Sequence, residues 1–271
     1  MAGNAAWGKK FMIAKPDLIE GMVKGMAVLE SFDTERQRLN ATLAAQKAGI
    51  TRAAARRHLL TLAHLGYLES DGRYFWLSSK VLRFSGSYLA SARLPRVLQP
   101  TLERLATQTH ESFSAVVLNG DEVVIVARSG NIRQGGSDGV SQVLAYGLHL
   151  GARLPVHATS TGRVLLAAMP KVAFNDWLKQ HQLARLTVHT VTAAAQLRRV
   201  VEQVRRDDFC FSSEEHELGV HALAVPLRNL QGQTVAALNV VASTARLAPD
   251  TMRRDLLPLM LEAARELRLI L

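Results

Sequence analysis

Arg52, Arg56 and Arg57 stand in the run TRAAARR (51–57), where guanidinium groups are interleaved with small alanines. A guanidinium forks onto phosphate oxygens and onto base-edge acceptors, so this pattern offers nucleic-acid chemistry. At about 100° per residue, Arg52, Ala53, Arg56 and Arg57 share one sector of a helix; Ala54, Ala55, His58, Leu62 and Leu65 share the other side. Alanines let the first face approach a groove wall closely. For this helix taken alone, a solvated arginine face is the alternative, and His58 reads as a core histidine.

A second constellation is RLPVHATSTGR (153–163), followed by the apolar run VLLAA. Backbone N–H groups of Ala158, Thr159, Ser160, Thr161 and Gly162 would lie at a helix start, where an anion is welcome. Hydroxyls of Thr159 and Ser160 add donors, and a carboxylate ligand fits that chemistry. A self-contained N-cap without a ligand is the other reading.

Catalytic and metal chemistries find little support. Ser160, His157 and Glu214 make a hydrolytic set on paper, but there is no Gly-x-Ser-x-Gly elbow and His157 lies too near Ser160 in the chain. Glu214, Glu215 and Glu217 read as a helix-surface or capping cluster, so no enzyme is expected. The single cysteine, Cys210, excludes an intrachain disulfide or a thiolate zinc cluster and reads as a small buried hydrophobe. The histidines form no HExxH pair, and no metal or cofactor is expected. The glycine-rich stretch 129–139 lacks the Gly-Lys-Ser/Thr of a phosphate loop and reads as a surface insertion.

The first set needs a short helix, a tight turn and a second helix. Asn40 is placed to cap TLAAQKA, closed by Gly49; Thr51 is placed to cap RAAARRHLLTLAHL, closed by Gly66. Met22 to Phe32 supplies a packing helix before them. Tyr67 and Leu68, then an Asp-Gly turn, then Arg73 to Leu77, predict a hairpin with Arg73 at its tip, within reach of sugar-phosphate or minor groove. The aromatics Tyr74, Phe75 and Trp76 could instead stack single-stranded bases, but the helix pair argues for duplex DNA.

Residues 79–92 carry an apolar stripe of Val81, Leu82, Ser85, Tyr88, Leu89 and Ala92, ended by Pro95, that wants a second copy of itself or its own domain as cover. Beyond it, the spacing predicts a helix over Gln99 to Thr109 with Pro100 in its first turn. Strands follow at Phe113 to Leu118 and Glu122 to Ala127 around Asn-Gly, and at Ala222 to Arg228 and Thr234 to Val241. Helices at Thr161 to Ala168, Ala193 to Asp208 and Pro249 to Leu269 would cover the sheet, giving an α+β domain.

The 271 residues, 48% of them hydrophobic, suffice for two domains. Nothing approaches the roughly eighteen consecutive apolar residues of a membrane span, and the start MAGNAAWGKKFMIAKPD lacks a signal-peptide core. A cytoplasmic protein without membrane attachment is expected. Of the net charge of +10, residues 1–93 hold 14 basic against 7 acidic side chains, and residues 94–271 hold 19 against 16. That asymmetry suits a polyanion-binding module attached to a nearly balanced domain.

The segments GMAVLESF, GITRAAARRHLLTLAHLGYLESDGRYFWLSSKVLRFSGSYL, LPRVLQPTLERLATQTHESFSAVVLNGDEVVIVAR, HLGARLPVHATSTGRVLLAAMP and ELGVHALAVPLRNLQGQTVAALNVVAS keep an order that resembles the IclR family of bacterial transcriptional regulators. Within it, ITRAAARRHLLTL and GARLPVHATSTGRVLLA most resemble the branch controlling breakdown of protocatechuate and 4-hydroxybenzoate. The likeness begins at Gly21, after what reads as a flexible leader (1–20), and implies an amino-terminal winged helix-turn-helix (21–78), a linker and dimerisation helix (79–94) and a GAF-like α/β effector-binding domain (95–271). It implies a dimer or pair of dimers on a palindromic operator and a small aromatic carboxylate as effector that alters operator affinity or contact with RNA polymerase. The branch contains activators, which favours activation; a repressor answering a non-aromatic carboxylate, or a ligand-sensing interaction protein without sequence-specific DNA binding, are the other readings.

On this reading Thr51, Arg52, Ala53, Arg56, Arg57 and Arg73 contact DNA. The effector site takes Arg153, His157, Thr159, Ser160 and Gly162. Carried over by position, Ser213, His221, Ala222, Asn239 and Val241 join it. Many relatives carry Asp at the place of Ser213 and Ser at that of Val241, and the branch commonly has Arg where His221 stands. The first two departures favour an anionic aromatic effector over a polyhydroxylated one, and His221 leaves a titratable donor whose charge depends on its surroundings.

Overall fold

A computed structural model describes residues 13–33, 36–129 and 148–271, in two compact units that meet at Ala92/Arg93. The glycine-rich stretch lies outside the described residues from 130 onward, as does the leader before residue 13. Among the described residues no helix is long and apolar enough to cross a membrane.

The first unit holds α1 (Glu20–Glu30), α2 (Ala41–Ala48) and α3 (Arg52–His64). Asn40, extended at the head of α2, accepts the N–H groups of Thr42 (3.1 Å) and Leu43 (3.0 Å). Gly49 ends α2 at φ +65°, a conformation that costs an L side chain energy. Thr51 then caps α3 by accepting the Ala54 N–H at 3.3 Å. Val28, Ala55, Leu59, Leu68 and Phe75 close a small core. Leu59, four residues after Ala55, is fully buried, whereas Leu65 caps the end of α3 and stays exposed; the packing stripe therefore stops a turn earlier than the periodicity suggests.

The hairpin is β1 (Leu68–Ser70) and β2 (Phe75–Leu77), with Ser70 opposite Phe75. Its turn covers Asp71 to Tyr74 because the Asp71 carboxylate accepts the N–H groups of Arg73 (3.0 Å) and Tyr74 (2.7 Å). Those bonds hold that carboxyl below its usual range. Leu39 exchanges both backbone bonds with Phe75 (2.9 and 2.8 Å), a third rung that residue spacing did not announce.

α4 (Leu82–Ser91) leaves Leu82, Phe84, Tyr88 and Leu89 exposed; Phe84 stacks on Tyr67 with ring centroids 5.6 Å apart, and Leu82, Tyr88 and Leu89 belong to the apolar stripe. The break falls at Ala92, not Pro95. Pro95 sits in the first turn of α5 (Arg93–Thr109), where a missing N–H is harmless, so α5 starts six residues before Gln99 and carries Pro100 in its interior.

The second unit is a six-stranded antiparallel sheet in the order β5-β4-β3-β8-β7-β6. Its strands are β3 (Ser112–Asn119), β4 (Glu122–Arg128), β5 (Arg153–Pro155), β6 (Cys210–Ser213), β7 (Val220–Arg228) and β8 (Thr234–Ser243). Gly120, at φ +63°, opens the two-residue β3–β4 turn, with Asn119 already paired to Glu122. Helices α6 (Ser160–Ala168), α7 (Lys171–Gln180) and α8 (Ala194–Asp207) cover one face. α5 covers the other, together with α9 (Leu257–Leu267), which follows a π-helical segment, Met252–Leu256. Alternation along β7 sorts the cores: Leu223, Val225 and Leu227 pack with Leu98, Leu102 and Met260, while Ala224 packs with Leu165, Phe174 and Val201. β5, β6 and α7 were not legible as elements in the sequence.

Candidate functional site

Two candidate sites lie on the two units. On α3, Thr51, Arg52, Ala53, Arg56 and Arg57 are all exposed, and the three arginines have no carboxylate partner among the described residues. His58 is half-buried on the α1 side, where a Cβ on Gly25 would come within 3.4 Å of its Nδ1. At the hairpin tip the Arg73 guanidinium lies 5.4 Å from the Tyr74 ring centroid. Arg38 lies 4.3 Å over Trp76 and pairs with Asp71 at 2.8 Å. Phe75 is buried, and guanidinium covers one face of each remaining aromatic ring, which leaves a poor platform for unstacked bases.

The second site is a pocket, partly open to solvent, between the start of α6 and the β6–β7–β8 surface. Ala222, Asn239 and Val241 form its floor, Thr159, Ser160 and Thr161 its helical wall, and Leu148 and Leu154 an apolar side. Thr159 is not an open donor. Its hydroxyl gives its proton to the Pro155 carbonyl (3.0 Å) and accepts the Gly162 N–H (3.1 Å), so the self-contained cap is real and consumes it. The hydroxyls of Ser160 and Thr161 have no protein partner among the described residues, and the first-turn amides of the same two residues lack intrahelical acceptors. Asn239 takes a hydrogen bond from the Ser114 hydroxyl on its Oδ1, which leaves its amide N–H₂ for a ligand.

Five residues assigned to this site in the sequence stand elsewhere. Arg153 is exposed on β5 and pairs with Glu122 at 2.6 Å. His157 is buried, with Nε2 2.9 Å from the Ala184 carbonyl. Gly162 serves packing: a Cβ there would collide with the Val156 backbone, so only glycine lets α6 start so close to the preceding turn. Ser213 and His221 face each other across β6 and β7 on the opposite side of the sheet, because Ser212, Val220 and Ala222 face the cavity and side chains alternate. His221 lies 5.4 Å from the Phe211 ring with its Nδ1 buried and unpartnered. Burial lowers its pKa below the usual histidine range, against an opposing push from Glu214.

The wall also holds Ser212, Glu215, His216, Glu217 and Val220. The glutamates belong to the loop between β6 and β7, not to a helix surface. Glu215 forks onto Arg163 (2.5 Å for each oxygen) and also accepts the Val191 N–H at 3.1 Å. Arg163 is only 1% exposed and gives its Nε–H to the His157 carbonyl at 2.9 Å. Burial, then the nearby His157, lowers the pKa of His216, and burial raises that of Glu217. The signal that could have found these residues is a run of acids directly before a strand, since one must turn inward to meet the buried arginine of α6.

Family models match both parts of the chain. The model for the IclR helix-turn-helix domain matches residues 22–72, and that for the bacterial transcriptional regulator IclR C-terminal region matches residues 86–269. The chain is 52% identical over 262 residues to the Pca operon regulatory protein of Acinetobacter baylyi, covering 97% of this chain and 92% of that protein. It is 49% identical over 256 residues to the p-hydroxybenzoate hydroxylase transcriptional activator of the same organism, covering 94% and 93%. Among solved structures, the inducer-binding domain of the Acinetobacter PobR transcription factor, a double mutant in complex with 3-hydroxybenzoic acid, is 43% identical with a TM-score of 0.60, over 66% of this chain and all of that one. A helix-turn-helix unit joined to a mixed α/β domain, matched over most of its length, makes this protein a member of the IclR family of bacterial transcriptional regulators.

Proposed function

We propose that this protein regulates an aromatic-acid degradation operon, with a small aromatic carboxylate as its signal. The observation that carries the reading is the cavity at the head of α6. Unpartnered hydroxyls and amides of Ser160 and Thr161, with the Asn239 amide, face a space whose wall also holds the apolar Leu148, Leu154, Val220, Ala222 and Val241 beside the 215–217 loop. Neutral donors at a helix start hold a carboxylate, and apolar walls hold a ring. The names of the two Acinetobacter relatives and the ligand of the PobR domain support the same assignment.

In this reading Thr51, Arg52, Ala53, Arg56 and Arg57 enter a major groove while Arg73 takes a phosphate. The apolar stripe of α4 pairs with that of a second copy, giving a dimer or pair of dimers. Two heads so joined match half-sites about 34 Å apart on a palindromic operator. The working parts are a head over 21–78, a linker over 79–94 and a GAF-like sensor over 95–271. Effector binding favours one arrangement of the heads by a few kcal/mol, and contact with RNA polymerase makes the outcome activation. No cofactor takes part.

The test combines a thermal-shift panel of hydroxylated benzoates with operator binding at several salt concentrations. A ligand that binds only the folded form raises Tm. Arg52→Ala and Arg56→Ala should flatten the preference for operator over scrambled duplex. Arg73→Ala should weaken both alike and reduce the salt slope by about 1. Equal affinity of the parent protein for both duplexes overturns the regulatory reading.

A further inference from the structure

The hairpin that the DNA reading sets against a phosphate is itself short of positive charge. Leu68 to Leu77 carry Glu69, Asp71 and Arg73 as their charged residues, one base against two acids. Asp71 is built into the turn, because its Oδ1 accepts the N–H groups of Arg73 and Tyr74. A polyanion that approaches this tip meets a carboxylate held in place.

The missing charge comes from outside the hairpin. Leu39 pairs with Phe75 and is buried like it, so alternation turns the preceding Arg38 to the outer face, with Trp76 and Glu69. Glu69 accepts the Trp76 Nε1–H at 3.0 Å, which fixes the indole. The Arg38 guanidinium lies 4.3 Å over that ring, and its Nη2 donates to Asp71 Oδ2 at 2.8 Å. Arg38 and Arg73 thus reach one carboxylate from two sides, the first by its guanidinium and the second by its backbone. The Arg38 side chain is still 56% exposed. Asp71 is its one hydrogen-bond acceptor among the described residues, so its other N–H groups are open to a second oxyanion. A guanidinium already oriented by a ring and a carboxylate loses little freedom on taking a phosphate.

We infer that Arg38 is a second phosphate-binding side chain at this hairpin: it neutralises Asp71 and presents its unused N–H groups to the DNA backbone beside Arg73. The inference rests on the reading of the first unit as a duplex-binding head. It adds a contact that belongs neither to α3 nor to the hairpin, and it gives Asp71 two opposed effects. The acid that shapes the turn also weakens the hold of the hairpin on DNA.

Fluorescence anisotropy of the full chain with a labelled duplex of arbitrary sequence, from about 50 to about 200 mM salt, tests this. Losing one phosphate contact lowers the slope of log K against log salt by about 0.9. Arg38→Gln should show that loss, with a deficit in affinity that shrinks about 3.5-fold across the range. Arg38→Lys keeps a point charge and should keep the parent slope. Asp71→Asn retains an oxygen for the turn and removes the like charge, so it should bind more tightly than the parent. A purely structural tie between Arg38 and Asp71 predicts the opposite sign, with Asp71→Asn weakening binding as Arg38→Gln does. An Arg38→Gln slope equal to that of the parent, or an Asp71→Asn variant that binds less tightly, overturns the role of Arg38. If Arg73→Ala lowers the slope and Arg38→Gln does not, the inference alone falls; if the parent binds no duplex, the DNA reading falls with it.

Discussion

Replacing Glu215 with Gln isolates the interaction on which the cavity wall depends. The Arg163 side chain is 2% exposed and that of Glu215 12%, with both carboxylate oxygens at 2.5 Å from the guanidinium. Gln removes the counter-charge and one of the two acceptors, leaving an arginine in the protein interior with the His157 carbonyl as its remaining fixed partner. Breaking a buried pair from one side costs about 3–5 kcal/mol. The retained amide oxygen puts this variant near the lower end, about 3 kcal/mol. For a unit of this size that corresponds to a fall in Tm of about 6–12 °C. Urea unfolding followed by circular dichroism reads it directly, and Arg163→Met combined with Glu215→Leu should restore most of the loss, because an apolar pair carries no stranded charge. A Glu215→Gln variant within about 1 kcal/mol of the parent at unchanged m-value would refute the claim that this pair is desolvated and holds the loop.

Three further outcomes follow from the same geometry. Gly162→Ala, which drives a methyl into the Val156 backbone, should cost about 3 kcal/mol, measurable by the same urea titration. His221→Phe should leave stability equal or higher, since it removes a buried nitrogen without a partner. His221 is held neutral in the fold, so the unfolded chain takes up its proton first; stability falls as pH drops below about 6.5, and the slope of stability against pH there should be shallower in the Phe variant. Burial pushes the Cys210 thiol up to about 11, so at pH 8 it should react with a disulfide reagent only at the rate of unfolding.

Local signals were the legible ones. Asn40 and Thr51 cap the helices that their residue types predicted, because the bond from side chain to N2 or N3 depends on nothing distant. The Asn-Gly turn was readable for the same reason, one residue out of register. The facing of β6 and β7 was not. Ser213 and His221 are one residue away from Ser212, Val220 and Ala222, and a shift of one inverts the side of a strand. Glu215 looked like part of a helix-surface or capping cluster because its burial goes with Arg163, about fifty residues earlier in the chain. The α4–α5 break at Ala92 escaped because proline is tolerated in a first turn, so Pro95 opens a helix where it was read as closing one.

β8 is a partition with tenants on both sides. Asn239 and Val241 look into the cavity, while Leu238 and Val240, their immediate neighbours, press into the layer that holds Leu98, Leu102 and Leu105 of α5. No second thickness of protein lies between, so whatever nudges one side of the strand is handed through the peptide bonds to the other. α5, the helix that begins where the chain leaves Ala92, is therefore separated from the cavity floor by the thickness of a single strand.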